Sequence, residues 1–319
     1  MDTPLPSPPC YNVALVGLGS IGISFAALHL RFGAGAVTVF DTRPDLHEHL
    51  TSVLPGYLGT GPEAPSLSDL LFRGRLVVCS SLEEACANAD IVQEQGPENL
   101  AFKRDVWSKI EKCAPATAHF WSSTSGIAAS SQVDGMSDRS RLLVVHPFNP
   151  PHILPLIEIV PSPETRAEEV AFARGYFEQL GSGHRPVVIN RELPGFVGNR
   201  LAFTILREAA YLVQEDVVSV QDLDAVIEAS LGPRFAVQGP FKAYHLGGGS
   251  AGIGGFLANL GTTIQEVWDS SKSVDFKRDT EREPWVDKVI RQTEEAYGMP
   301  TVDQLNSRDK ELRRVLGKR

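Results

Sequence analysis

Two residues in this sequence are of the right types, at the right spacing, to handle a proton together. His146 closes an apolar run over residues 142–146, and Glu158 follows twelve residues later inside Leu156-Ile157-Glu158-Ile159-Val160. An imidazole ordinarily titrates at about 6.5, near working pH, which suits a general base. A carboxylate amid apolar strand residues is costly unless it is paired. An imidazole partner relieves that cost and has its own tautomer fixed in return. From the residues alone, the pair reads equally well as a structural hydrogen bond. The other histidines offer less. His29, His47 and His49 fall in or near helical segments with no polar constellation, and His119, His152, His184 and His245 lack an acidic partner at strand-end spacing. Ser122-Ser123-Thr124-Ser125-Gly126 also follows a strand-like run. Its hydroxyls suit either a substrate oxygen or a capping turn. Asn199, in Pro194-Gly195-Phe196-Val197-Gly198-Asn199-Arg200, opens a long helical pattern and reads at least as a helix-start polar residue.

A second set of residues is suited to phosphate. Gly17-Leu18-Gly19-Ser20-Ile21-Gly22 is a G-x-G-x-x-G that follows a strand-like run and opens a helical one. Gly17 permits the tight turn, Gly19 lets a pyrophosphate approach the backbone, and Gly22 lets the helix pack close to the strand. Ser20 and Ile21 begin the helix, where unpaired N–H groups and the positive dipole end face the phosphates. Asp41 follows Gly22 by 19 residues, at the end of the next strand-like run. A carboxylate there accepts from a ribose 2′-hydroxyl and repels a 2′-phosphate, which selects NAD. Arg43 is expected exposed or over the adenine.

The elements that must position these residues read as follows. Strands are expected over residues 11–16, 36–40, 76–79, 91–93, 119–122, 142–146, 157–160 and 186–189. Helices are expected over 20–32, 82–89, 97–113 and 163–180. Residues 44–72 begin as a helix, then break at Pro55-Gly56 and again through 59–65. After Pro194 no strand signal remains, and helical periodicity covers 195–215, 220–231, 252–270, 284–297 and 302–316. Gly247-Gly248-Gly249 reads as a loop. The expected fold class is therefore α/β: a Rossmann-type dinucleotide-binding domain over residues 1–192, then an all-helical domain over 193–319.

Bulk composition excludes several classes. The 319 residues ordinarily make two domains, and 42% hydrophobic with 22% charged content is that of a soluble enzyme. A net charge of −9 argues against nucleic acid or an anionic membrane as partner. No apolar run approaches the roughly 20 residues of a membrane span. Residues 1–10 are Pro-rich, lack the regions of a secretory signal, and read as a loose arm. The C-terminus is not a peroxisomal address. The cytoplasm is the expected compartment. Cys10, Cys79, Cys86 and Cys113 form no C-x-x-C pair and are expected as reduced thiols, with no metal site.

Taken in order, these motifs resemble the 3-hydroxyacyl-CoA dehydrogenase superfamily over nearly the whole chain. The match comprises the glycine motif, Asp41, Glu98-Asn99 with Lys103, Ser122–Ser125, His146-Pro147-Phe148-Asn149-Pro150, Glu158 and Pro194-Gly195-Phe196 with Asn199-Arg200. The resemblance implies that His146 is the general base, oriented by Glu158. It implies that Ser125 and Asn199 bind near the reacting oxygen. It implies that Glu98 and Lys103 contact the nicotinamide half of NAD, and that the helical domain forms a homodimer. Within the superfamily the chain looks most like the lambda-crystallin and L-gulonate 3-dehydrogenase branch, through Pro155–Pro161, Pro163-Glu164-Thr165 and Leu231-Gly232-Pro233-Arg234-Phe235-Ala236. Carnitine dehydrogenases are similar in several of the same places. The implied substrate is a small hydroxy acid oxidised to its keto acid. Arg234 is a candidate for its carboxylate, or else forms a surface or interface salt bridge. A crystallin-like role, binding NAD without turnover, is the structural alternative; the intact His146, Glu158, Ser125 and Asn199 set argues for an enzyme. Acyl-CoA is disfavoured. The superfamily's acyl-CoA members carry a Lys-rich helical segment after the second strand, whereas residues 45–72 here hold no Lys or Arg but include Asp45, Glu48, Glu63 and Asp69. Arg73 and Arg75 lie just beyond.

Overall fold

The computed structural model describes residues 10–59, 64–276 and 283–317. The arm expected over residues 1–10 lies outside these except for Cys10, as does Glu63. Two compact units are present, Met1–Arg200 and Leu201–Arg319. The break between them falls a few residues beyond the expected 192.

In the first unit, short apolar runs become the strands of one sheet. These are β1 (Val13–Val16), β2 (Val37–Phe40), β3 (Leu76–Val78), β4 (Ile91–Glu94), β5 (His119–Ser122), β6 (Leu142–Pro147), β7 (Leu156–Pro161) and β8 (Arg185–Val188). Their order across the sheet is β3-β2-β1-β4-β5-β6-β7-β8. All neighbours are parallel except β6 and β7, which pair antiparallel. The connecting helices are α1 (Ser20–Phe32), α2 (Leu46–Leu58), α3 (Leu67–Phe72), α4 (Leu82–Cys86), α5 (Leu100–Cys113), α6 (Ala129–Gln132) and α7 (Ala167–Gln179). Helices cover both faces, as a parallel sheet requires. Leu15, Val39, Ile91, Trp121 and Val145 pack with Phe25 of α1, Leu50 of α2 and Phe177 of α7. On the other face Val16, Val92, Phe120 and Val144 pack with Val106, Trp107 and Ile110 of α5. Strand alternation thus assigns every second side chain to each face.

The expected break at Pro55 does not occur: α2 runs straight through it. Leu46, Leu50, Leu54 and Leu58 recur every fourth residue and are all buried. Each buried leucine stabilises by about 1.5–3 kcal/mol. Together they outweigh the roughly 3 kcal/mol a mid-helix proline costs.

In the second unit, α8 (Gly198–Gln214), which starts just before it, is followed by α9 (Val220–Ala229), α10 (Leu231–Val237), α11 (Pro240–Gly247), α12 (Gly252–Ser270), α13 (Trp285–Tyr297) and α14 (Val302–Leu316). Among its described residues there is no strand. Sequence reading missed α10 and α11, and took Gly247–Gly249 as loop. Gly247 ends α11, and Gly249–Ala251 forms a 3-10 turn. Pro233 lies in the first turn of α10 and Pro240 begins α11. Proline is tolerated in a first turn because the N–H it lacks has no intrahelical acceptor there. No described helix is long and apolar enough to cross a membrane. All four cysteines are free thiols, with Cys79 and Cys86 buried. The described residues hold no cluster of metal-ligating side chains.

One buried polar chain crosses the α1 face of the sheet. His29 of α1 has its Nδ1 2.7 Å from the Tyr176 hydroxyl and its Nε2 3.0 Å from Gln93 Oε1. Gln93 Nε2 in turn donates to Ser123 Oγ at 3.0 Å. The expectation that His29 lacks polar company is therefore overturned. Its partners stand 64 and 147 residues away in the sequence, where no local signal reaches. Burial lowers the His29 pKa to about 4, from an ordinary 6.5, despite the bond it gives to Gln93 Oε1. The folded protein keeps His29 neutral where the unfolded chain protonates it. Stability is therefore lost as pH falls from about 6.5 toward 4, by at most about 1.4 kcal/mol per pH unit from this group. Thermal unfolding across that window should show a shallower pH slope for His29→Gln than for wild type; equal slopes would contradict the assignment.

Candidate active site

The carboxyl ends of β1, β2 and β4 open on a crevice of about 790 Å³, lined by Gly17, Gly19, Asp41, Ser81 and Gln95 among others. Open α/β sheets bind ligands at such a point, where strand order reverses from β1 to β4. The glycines fit their assigned parts. Gly17 has φ +98°, and a Cβ there would meet the Gln95 and Gly96 backbone at 2.9 Å. A Cβ on Gly22 would fall 2.0 Å from the Gly17 carbonyl oxygen, whereas one on Gly19 meets nothing within 4 Å. Gly19 is thus the open side of the turn. Ser20 and Ile21 begin α1 with no acidic residue in the first turn and no side-chain cap at Gly19, so their N–H groups suit phosphate. Asp41 accepts the Leu18 N–H at 2.6 Å and the Arg43 N–H at 2.9 Å. These bonds hold the carboxylate at the lip of the crevice. Arg43 forks onto Asp45 at 2.8 and 3.0 Å, which draws its charge toward Asp45. The chain's own residues therefore fit an NAD cradle.

His146 and Glu158 are direct register partners in the antiparallel β6–β7 pair. The Nδ1–H of His146 donates to Glu158 Oε2 at 2.7 Å, and both side chains are buried. Glu158 Oε1 accepts the backbone N–H groups of Val197 and Gly198 at 3.0 and 2.9 Å. Burial pushes the Glu158 carboxyl up, but the bonds from His146, Gly198 and Val197 outweigh it and hold it below its ordinary value. It stays ionised at neutral pH. The turn that delivers those two amides is tightly specified. Phe196 sits at φ +49° with its ring 5.3 Å from the imidazole. A Cβ on Gly198 would strike the Phe148 ring at 2.4 Å. With Nδ1 bonded to Glu158, Nε2 of His146 has no hydrogen-bond partner among the described residues.

The remaining candidates join the same network. Asn199 Nδ2 donates to the Ser125 carbonyl at 3.0 Å. The Ser125 and Gly126 N–H groups and the Thr124 hydroxyl all donate to Glu98 Oε1, at 2.6, 3.1 and 2.6 Å. The exposed Ser125 hydroxyl has no partner among the described residues. Lys103 reaches Glu98 at 3.5 Å, but its closer partner is Glu94, both of whose oxygens lie 2.9 Å away. Lys103 has no accessible surface. In this structure it therefore acts through Glu98 and Glu94.

Arg234 lies exposed in α10 of the second unit. The structure does bring one rejected histidine to an acid: His119 Nδ1 lies 2.5 Å from Glu169 Oε2. That corrects the expectation that His119 lacks an acidic partner. It is no rival to His146, because it begins β5, at the amino end of a parallel strand, away from the crevice.

Glu94 is the residue that sequence reading missed. It is fully buried, receives Lys103, Gly96 N–H and the Ser122 hydroxyl, and closes β4. A carboxylate at the end of an apolar strand was the available signal. Glu94→Gln removes the charge opposing buried Lys103 and should cost about 3–5 kcal/mol of unfolding free energy. Adding Lys103→Met should restore much of it. Urea titrations of both single variants and the double variant test this, and additive losses would contradict the pairing.

The family model for the 3-hydroxyacyl-CoA dehydrogenase NAD-binding domain matches residues 12–192, and that for the 3-hydroxyacyl-CoA dehydrogenase C-terminal domain matches residues 195–293. An L-carnitine dehydrogenase of Streptomyces coelicolor is 33% identical over 306 residues, 96% of this chain and 93% of that protein. A 3-hydroxyacyl-CoA dehydrogenase of Gibberella moniliformis is 35% identical over 265 residues, 80% of this chain and 78% of that protein. Among solved structures, 5-formyl-3-hydroxy-2-methylpyridine 4-carboxylic acid 5-dehydrogenase, an NAD+-dependent dismutase, aligns with a TM-score of 0.77 and 26% identity over 97% of this chain and 98% of that one. The chain belongs to the 3-hydroxyacyl-CoA dehydrogenase superfamily and is an NAD-dependent oxidoreductase.

Proposed function

We propose that this enzyme oxidises the 3-hydroxyl of a small free hydroxy acid to the 3-keto acid, with His146 as the base. The observation that carries the reading is the ionised Glu158 on His146 Nδ1, which leaves Nε2 open to a substrate hydroxyl. His146 Nε2 takes the hydroxyl proton, and Glu158 balances the imidazolium that forms. The Ser125 hydroxyl and the Asn199 amide hold the reacting oxygen. Glu98, braced by Lys103, shapes the nicotinamide side of the crevice; Gly17, Gly19, Ser20, Ile21, Gly22 and Asp41 hold the rest of NAD. NAD, when bound, supplies the hydride acceptor. Base catalysis of this kind contributes about 10²–10⁴-fold.

Among small acids, carnitine is favoured by the relatives: several L-carnitine dehydrogenases match over most of this chain. L-gulonate, to which the Leu-Gly-Pro-Arg-Phe stretch pointed, is the second reading. Arg234 is proposed to meet the carboxylate, by the bidentate geometry a guanidinium allows. Charge supports a free acid over a CoA thioester. Arg75, one of two cations beyond the acidic segment, is spent on the Gly33 and Gly35 carbonyls at 2.6 and 3.0 Å.

Residues 1–192 are read as the NAD-binding part and residues 193–319 as the part for substrate and dimerisation, in a cytoplasmic homodimer. Support for the dimer is the apolar surface of the helical unit. A groove of about 440 Å³ there is lined by Phe241, Tyr244, Phe256, Leu260 and Trp268. Phe241 and Trp268 are 79% and 67% exposed in the single chain, which is unusual for large hydrophobic side chains left uncovered.

The test is NADH formation from NAD with carnitine, L-gulonate and 3-hydroxybutyryl-CoA side by side. Turnover of a free acid but not the thioester is expected. Turnover of the thioester alone would overturn the reading of residues 45–72.

A further inference from the structure

The glycine turn leans on a residue that no motif assigns. Gln95 follows β4, and its N–H donates to the Val16 carbonyl at 2.8 Å. Its backbone lies against Gly17, and its side-chain Oε1 would be 3.5 Å from a Cβ on Gly22. The residue lines the crevice. Its amide tip, however, is tucked away from solvent, and neither Nε2 nor Oε1 has a hydrogen-bond partner among the described residues. A buried primary amide with both ends unspent is unfavourable, because it has given up water and gained nothing.

A second unspent group stands beside it. The Ser123 N–H donates to the Glu94 carbonyl at 2.9 Å, so parallel pairing continues one residue past β5 and sets Ser123 next to Gln95. Ser123 Oγ already accepts from Gln93 Nε2. Its own proton is free to be given away, and no acceptor takes it among the described residues. Ser123 keeps 8% of its surface accessible.

Position says which part of a dinucleotide these groups face. Asp41, at the end of β2, marks the adenosine ribose. His146, on β6, marks the reacting end. The sheet order places β4 and β5 between them, beyond β1, so a dinucleotide spanning the two would pass Gln95 and Ser123 on its nicotinamide side. That half carries ribose hydroxyls and a carboxamide, each able to donate and accept, which is what an amide can pair with at both ends.

We propose that Gln95 is a further cofactor-binding residue, whose amide turns out from beside the glycine turn to bond the nicotinamide half of NAD, with the Ser123 hydroxyl next to it. The inference rests on the NAD-binding reading of the crevice. The unpartnered state makes the turn inexpensive, and the cofactor supplies the partners that the free protein does not.

Gln95→Leu tests this through two readouts that move in opposite directions. Without ligand, replacing the unpaired amide by an apolar group of similar size should raise Tm by about 2–4 °C. In fluorescence titrations the Kd for NADH should rise about three- to tenfold, as expected for one or two lost hydrogen bonds. Calorimetric titration with AMP, which lacks the nicotinamide half, should give wild-type affinity. Gln95→Glu, which keeps the size but lacks donors, should bind NADH more weakly still. Wild-type NADH affinity in either variant would overturn the proposal. So would equal loss of NADH and AMP together with a lower Tm, because Gln95 would then only prop the glycine turn.

Discussion

The site depends on one buried carboxylate. Glu158 has lost its water, and leaving such a charge unpaired inside a protein costs several kcal/mol. Three donors offset that cost: His146 Nδ1 and the amides of Val197 and Gly198. The donors come from two distant stretches of chain, β6 and the turn that opens α8, so satisfying the charge fixes their mutual geometry. The β6–β7 register, the imidazole tautomer and the start of α8 are set by the same group. Asn199, the next residue along, then reaches Ser125; Ser125 and its neighbours hold Glu98; and Glu98 meets Lys103 over Glu94. The base is thereby linked to the cofactor side by a continuous run of hydrogen bonds and ion pairs.

The sheet divides the polar work between its faces. His146, Glu158, Glu94 and Ser122 alternate onto one face, where charge is gathered and paired. Gln93 and Ser123 fall on the other, where the His29 chain is neutral throughout and directional. If the Tyr176 hydroxyl donates to His29 Nδ1, His29 Nε2–H donates to Gln93, and Gln93 donates to Ser123, the Ser123 proton must be given outward. Burial keeps His29 uncharged at working pH, which preserves that direction.

Much of this was legible in the residues. The G-x-G-x-x-G spacing and strand-end placement pointed to the glycine turn, Asp41 and His146, and a carboxylate amid apolar strand residues pointed to Glu158, because each is a short-range pattern. Glu94 offered a signal like that of Glu158, a carboxylate in an apolar strand, yet it stands in no motif of reacting groups and was passed over. The His119–Glu169 and His29–Gln93–Tyr176 contacts were illegible for another reason: they join residues 50 to 147 positions apart that only the packing of α1 and α7 brings together. Pro55, read as a break, and Pro233 and Pro240 all lie within helices, for two different reasons. The first sits within a helix held by its leucine face; the other two occupy first turns, where proline costs nothing.

The most direct test of this account is steady-state turnover by Glu158→Gln, with the acid the enzyme oxidises, beside a titration of NADH. The neutral amide cannot balance an imidazolium, although it nearly preserves the shape. A fall in kcat of about 100-fold or more is predicted, with NADH affinity unchanged as evidence that the crevice is intact. A variant that kept the wild-type kcat would contradict the claim that this buried carboxylate organises the catalytic base.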